Sequence, residues 1–355
     1  IDLLEQSADA FEQVRDEEGQ ALVSGQLAAV HMLAGRMEEA KIHSEAALAV
    51  FTANGHLLRQ GIVLGNLNSI ALDTGRLDEA LVAAVRAVEL SERVEDFEGV
   101  VSSLQRLGEA ERLTGAGTTA REHLERAVQL GRQHSLHYFV CHALASLSAL
   151  ALDESRPADA LTLAEEARAA ATLSDIPLAI AKSDTALGLA ALATGDTQTA
   201  VDALTAATDR TRQLEVATET VQNEALLAEA FLQAGRVDEA RALARKAFVA
   251  MGPNGPEPCG EPHPGRALIA CHRVLDALGD PWAREVPEVA ARFLTQRSAL
   301  VQDTAVRERF LQIADCRALA QLMPTTTNLT PPHRPPTPEE PRAPSGKSPQ
   351  GGRTT

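Results

Sequence analysis

The sequence predicts an all-α protein: an α-solenoid of antiparallel helix pairs that repeats every 40 residues. Three observations carry that expectation. One turn is written again and again, as LAGRMEEA at 33–40, DTGRLDEA at 73–80 and QAGRVDEA at 233–240. Five columns of residues keep their register through six units. The composition is 45% hydrophobic but 3% aromatic, with a single Trp and a single Tyr. A core made of Ala and Leu requires backbones that approach closely, which favours helix on helix over sheets of β-branched and aromatic residues.

Each column has a physical reason. Gly35, Gly75, Gly115, Ser155, Gly195 and Gly235 fall just past a first helix, where a left-handed residue closes the C-terminus. Ala40, Ala80, Ala120, Ala160, Ala200 and Ala240 follow, and then Ala47, Ala87, Ala127, Ala167, Ala207 and Ala247. These fall where helices touch most closely, and anything larger would push them apart. Leu27, Leu67, Leu107, Leu147, Leu187 and Leu227 fill the gap between. The residue after each Leu is small or short: Ala28, Asn68, Gly108, Ser148, Gly188, Ala228. Between the columns, apolar residues recur at helical spacing, as in Leu81, Ala84, Val85 and Val88. Acidic pairs such as Glu38–Glu39 and Asp78–Glu79 recur at the start of the second helix, where negative charge meets the positive end of the helix dipole. Their recurrence argues for capping electrostatics and against catalysis. The units hold only Pro157, in the first turn of a second helix, and Pro177, between units.

Five segments follow. Residues 1–18 read as the second helix of a truncated repeat, and 19–251 as six repeats. Residues 252–265 are a loop with five prolines. Residues 266–323 hold a degenerate seventh pair, aligned on Gly279 and Ala291, and a closing helix over 305–323. Residues 324–355 form a tail rich in Pro, Gly, Ser and Thr, which is expected to be disordered. A first helix missing before residue 1, in a chain that does not begin with Met, leads us to expect further repeats upstream.

The packing columns resemble the tetratricopeptide (TPR) pattern, lengthened to 40 residues, over about 19–251. The early Trp, the Tyr and the closing Pro of that pattern are absent; Leu64, Leu104 and Ala71 stand among their replacements. The resemblance implies a right-handed superhelix of helix pairs that binds proteins or peptides. Arg307, Phe310 and Leu311 loosely match the Arg-x-x-Phe-Leu helix that ends the Ala-rich TPR arrays of large actinobacterial LuxR-type and SARP-type ATPase-linked transcriptional regulators. That likeness implies the C-terminal sensor of a signal-transducing transcriptional regulator, whose partners include upstream domains of the same polypeptide. A free-standing scaffold or peptide receptor is the alternative.

Other chemistry finds little support. A net charge of −16 opposes direct binding of nucleic acid, although it also serves solubility. Four scattered Cys form no disulfide framework, and no apolar run reaches membrane-spanning length, so a cytoplasmic location with reduced thiols is expected. PSGKS at 344–348 lacks the first glycine of a phosphate loop and has no strand before it. The sequon Asn328-Leu329-Thr330 sits in the same tail. Two clusters could hold metal, His134/His137/Cys141/His142 and Cys259/His263/Cys271/His272, but neither has a common zinc spacing. No cofactor and no enzymatic activity are expected.

In the family it resembles, the first helices line the concave face. The positions flanking the Leu column then give the candidate partner-binding residues Gln26, Asn66, Gln105, Arg106, Glu109, Arg112, His142, Lys182, Gln222 and Glu229. They lack the set of Lys, Asn and Arg that grips a chaperone tail. Within them, Arg106, Arg112, His142 and Lys182 read either as a basic cluster for an acidic or extended segment or as ordinary solvated residues.

Overall fold

The computed structural model describes residues 2–256 and 265–323, and among these it contains α-helices, one 3₁₀ turn and no strand. The helices are α1 (Asp2–Gln13), α2 (Glu17–Leu33), α3 (Met37–Ala53), α4 (Leu57–Thr74), α5 (Leu77–Arg93), α6 (Phe97–Leu113), α7 (Gly117–Gln133), α8 (His137–Asp153) and α9 (Pro157–Ser174). There follow α10 (Pro177–Thr194), α11 (Thr197–Gln213), α12 (Ala217–Gln233), α13 (Val237–Met251), α14 (Arg266–Ala277), α15 (Val286–Leu300), α16 (Thr304–Phe310) and α17 (Ala314–Leu322), with the 3₁₀ turn at Pro281–Arg284. The even-numbered helices from α2 to α14 form an inner layer and the odd-numbered ones their outer partners. The phosphate-loop-like PSGKS, the sequon and the whole Pro-rich tail lie outside the described residues. No described helix is long and apolar enough to cross a membrane.

The Gly column does what its backbone freedom allows: Gly35, Gly75, Gly115, Gly195 and Gly235 all have φ between 71° and 78°, and Ser155 takes 60° in their place. The next amide bonds back across the helix end, as in Arg36 N to His31 O at 2.9 Å and Arg236 N to Phe231 O at 2.8 Å, which satisfies the last carbonyls. The turns between units end their helices in the same way, at Arg15, Gly55, Glu95, Ser135, Asp175 and Glu215, all with positive φ. A left-handed residue therefore recurs at every twentieth position, a half-period that glycine alone does not reveal.

Close packing fixes the pairs. The residues of the first Ala column are all 0% exposed, and those of the second are at most 1%. The small column faces a carbonyl twelve residues on. Asn68 Nδ2 donates to Ala80 O and Ser148 Oγ to Ala160 O, both at 2.8 Å. It also faces a side chain sixteen residues on. A Cβ at Gly108 would stand 2.5 Å from Leu124 Cγ, and one at Gly188 2.4 Å from Leu204 Cγ. Where the small column carries Ala28, Asn68, Ser148 and Ala228, the opposing position carries Ser44, Ala84, Ala164 and Ala244. Bulk on one helix is matched by its absence on the other. Between neighbouring pairs, exposed ion pairs such as Arg76–Glu38 at 3.0 Å and Lys41–Glu79 at 2.7 Å use the recurring acidic residues and contribute little each.

The C-terminal helices turn the array back on itself. Gln302 N and Asp303 N both donate to Asp78 Oδ2, at 2.9 and 3.0 Å, and Arg309 Nε donates to Thr114 O at 3.2 Å. Arg266 meets Asp315 at 2.9 Å. Val301, Phe310, Cys316 and Leu319 are buried in one apolar cluster with Leu77, Leu113, Leu189 and Phe231. The run 305–323 is two helices: the chain bends at Leu311–Ile313 after Arg309 has reached the Gly115 turn, and α17 returns to α14 and α15.

The bulk matching sets a double-mutant cycle read by urea denaturation. Leu204→Ala should cost about 2–5 kcal/mol. Gly188→Ala should destabilise by clash in the parent, yet add stability in the Leu204→Ala background, where the clash is gone and alanine favours the helix by about 1 kcal/mol. Additive effects would remove the contact from the account.

Candidate functional site

A cavity of about 110 Å³ opens in the inner layer, walled by four consecutive inner helices. Gln105 and Glu109 reach it from α6, His142 and Ser146 from α8, Lys182 and Thr185 from α10, and Glu219, Gln222 and Asn223 from α12; Leu152 and Leu189 are among its apolar walls. The repeat makes this convergence. His142, Lys182 and Gln222 occupy one register position in successive units, so each points inward from the same face of its helix.

Several polar atoms of the wall are buried without a partner: His142 Nε2, Gln222 Nε2 and Asn223 Nδ2. The Thr185 hydroxyl lies 2.8 Å from Asn223 Oδ1, so one end of that amide is satisfied and the other faces the cavity, whichever way the amide is turned. Burial, aided by the charges of Lys182 and Arg106, pushes the pKa of His142 down to about 3, so the imidazole is neutral. Lys182 stands 3.8 Å from Glu219. Asp73, at the end of α4, faces the same two groups from another part of the array. Burial raises its pKa to about 6, Lys182 draws it back, and Glu219 adds to the rise.

Arg112 has a different task. Its side chain is 1% exposed and bonds Glu109 Oε1 at 3.0 Å and Asp153 Oδ2 at 2.8 Å, tying α6 to the end of α8. Burial works against its charge, but the two carboxylates outweigh it and hold its pKa above the ordinary arginine value.

Of the ten residues expected on the concave face, Gln105, Glu109, His142, Lys182 and Gln222 line the cavity. Arg106 and Asn66 line a separate groove between α4 and α6. Gln26 is exposed on α2, and Glu229 is buried and bonded to Arg273 at 2.8 Å. The basic cluster does not assemble as four free cations: Arg112 is consumed by its ion pairs, His142 is neutral, and Arg106 lies in the other groove. Thr185, Glu219 and Asn223 are wall residues that sequence reasoning missed, as it missed Asp73, whose carboxyl acts on Lys182 and Glu219 without lining the cavity. Thr185 shares its register position with Gln105, and Asn223 follows Gln222, so the same columns held part of the signal.

Neither Cys/His cluster forms a metal centre among the described residues, where no group of three potential ligands converges. His134 stacks on Phe97 with ring centroids 4.5 Å apart, and Cys141 Sγ donates to Tyr138 O. Cys259 and His263 lie outside the described residues, and Cys271 is buried against Ala244 O with its thiol pushed up to about 12 by burial.

No protein-family model and no curated protein sequence matches the chain. Solved structures do share its fold. The apo form of RapI is similar with a TM-score of 0.56 at 18% identity, over 68% of this chain and 86% of that one. A Rap protein complexed with Competence and Sporulation Factor gives 0.55 at 14% identity, over 86% and 96%. A Signal Transduction ATPase with Numerous Domains (STAND) protein with a tetratricopeptide repeat sensor, from Pyrococcus horikoshii, gives 0.51 at 14% identity, over 83% of this chain and 46% of that one. This chain therefore spans less than half of the ATPase. At these identities the likeness shows the fold, which is a TPR solenoid.

Two measurements probe the site's electrostatics. Arg112→Ala leaves the buried carboxylate of Glu109 and the half-buried one of Asp153 without their cation and should cost about 3–5 kcal/mol in urea unfolding; a loss under 1 kcal/mol would make the triad dispensable. Asp73 titrates near 6 when folded against an ordinary 3.8, so the folded state holds this proton more tightly. Stability should fall as pH rises from about 4 to 6 and level off above. Asp73→Asn should flatten that limb and gain about 1–3 kcal/mol above pH 6, and an unchanged pH profile would contradict the burial.

Proposed function

We propose that this chain is a non-enzymatic binding module that holds an extended peptide or protein segment against its inner layer. The observation that carries the reading is the set of buried polar atoms left without partners around the inner cavity, at His142, Gln222 and Asn223. An unsatisfied buried donor or acceptor costs about 1–3 kcal/mol, and an apolar residue of similar size would avoid that cost. An extended main chain offers alternating N–H and C=O groups that can satisfy such amides. Gln105, Glu109, His142, Lys182 and Gln222 are the site residues of this reading, with Thr185, Glu219 and Asn223 added from the structure.

The finer reading makes the module the C-terminal sensor of a multidomain transcriptional regulator, with upstream domains of the same polypeptide among its partners. Its support is the fold shared with a STAND protein that carries a TPR sensor. A free-standing peptide receptor uses the same cavity. Both readings place the module in the cytoplasm, in keeping with the free, buried thiols of Cys141, Cys271 and Cys316.

Panning a phage library of short random peptides on the immobilised full chain tests the proposal. The parent should enrich related sequences, and a Gln222→Leu, Asn223→Leu variant should not retain them. That variant should also melt higher, because it removes the unpaired groups. No enrichment, or equal retention by the variant, would sink the reading.

A further inference from the structure

A second feature of the inner face is chemically distinct from the cavity. A groove of about 420 Å³ runs between the N-terminal halves of α4 and α6. Leu58, Ile62 and Phe139 give it apolar walls, while Asn66, Ser102 and Ser103 supply polar groups. Leu58 and Ile62 are 48% and 53% exposed, which is high for aliphatic residues that flank a depression.

Arg106 stands in this groove, half-buried. Its guanidinium lies against the bare backbone of Gly65, where an added Cβ would be 3.2 Å from Nη1. The glycine admits the cation. The hydrogen bond made by that guanidinium is to Ser102 Oγ, one turn earlier on its own helix. Among the described residues no carboxylate pairs with it, and the uncharged phenol of Tyr138 stands nearby. The contrast with other sequestered arginines is direct: Arg112 holds Glu109 and Asp153, and Arg266 holds Asp315. A guanidinium brought out of water without a counter-charge is expensive, and a bidentate anion is what its planar fork accommodates.

We propose that the α4–α6 groove is a second binding site, which takes the free carboxylate of an apolar peptide segment against Arg106. The site goes beyond the inner cavity and stands on different residues. The apolar walls take the side chain next to the carboxylate, and the rim amide and hydroxyls meet the main chain. A fatty acid would offer the same charge but would leave Asn66, Ser102 and Ser103 facing hydrocarbon, so the groove fits a peptide better. Asp96 and Glu98 also line the groove, and their charges oppose a doubly charged phosphate more strongly than a monoanion.

The chain has one tyrosine, so 3-fluorotyrosine labelling of the full chain gives a single fluorine resonance, at Tyr138 beside Arg106. Titrating N-acetyl-Leu-Leu with a free carboxylate should shift that resonance saturably. The C-terminal amide of the same dipeptide should bind at least about tenfold more weakly, as expected for losing a charged hydrogen bond. Arg106→Gln should abolish the response to the acid without lowering the melting temperature, and Arg106→Lys should keep part of it. Gln222→Leu should leave the response intact, which separates this site from the cavity. No shift with the acid, equal binding of acid and amide, or an equally strong shift with dodecanoate would each overturn the proposal. So would loss of the response in Gln222→Leu, since that would make the two sites one.

Discussion

Everything in this molecule depends on how closely the two helices of a pair approach. The distance is set where a small residue of the inner helix meets the carbonyl twelve positions on and the side chain sixteen positions on, as Gly188 meets Leu204 and Ser148 bonds Ala160 O. Because the pair is rigid at that point, the inner faces of successive pairs stay in register. Residues spaced by one repeat, such as His142, Lys182 and Gln222, then converge on one space. A loss of register would disperse them.

The inner layer is polar where the rest of the core is apolar, and that difference separates scaffold from site. Ala and Leu columns hold the pairs with few aromatics, through close packing of small side chains. The polar groups stand outside those columns. Some are fully paired and structural, such as the Arg112 bridge between Glu109 and Asp153. Others, His142 Nε2 and the amides of Gln222 and Asn223, are buried and unpaired. Keeping both kinds on the same face leaves polar groups there that the fold itself does not satisfy.

Much of the fold was legible in the sequence, because the packing columns are local and repeated: the Gly turns, both Ala columns and the small column all lie within one 40-residue unit of their contacts. The half-period was not legible. Arg15, Glu95, Ser135 and Glu215 take the left-handed conformation with side chains that do not announce it. The candidate site was half legible. The inward positions named five residues of the cavity wall, but spacing cannot tell a free cation from a paired one. Spacing therefore presents Arg112 as a ligand group and gives no sign of Asp153, its partner forty-one residues on.

The sequence by itself determined the helix pairs, their length, their turns and the face each inner helix presents, since these follow from short-range contacts multiplied by repetition. Only the tertiary structure decided how the array curls and closes. Gln302 and Asp303 bond Asp78 across more than two hundred residues, and Arg309 reaches Thr114. Asp73 comes to face Lys182 and Glu219, and Arg106 is left against Gly65 without a carboxylate. None of these contacts is periodic. They depend on small rotations between successive pairs adding up along the solenoid, and no single repeat encodes that sum.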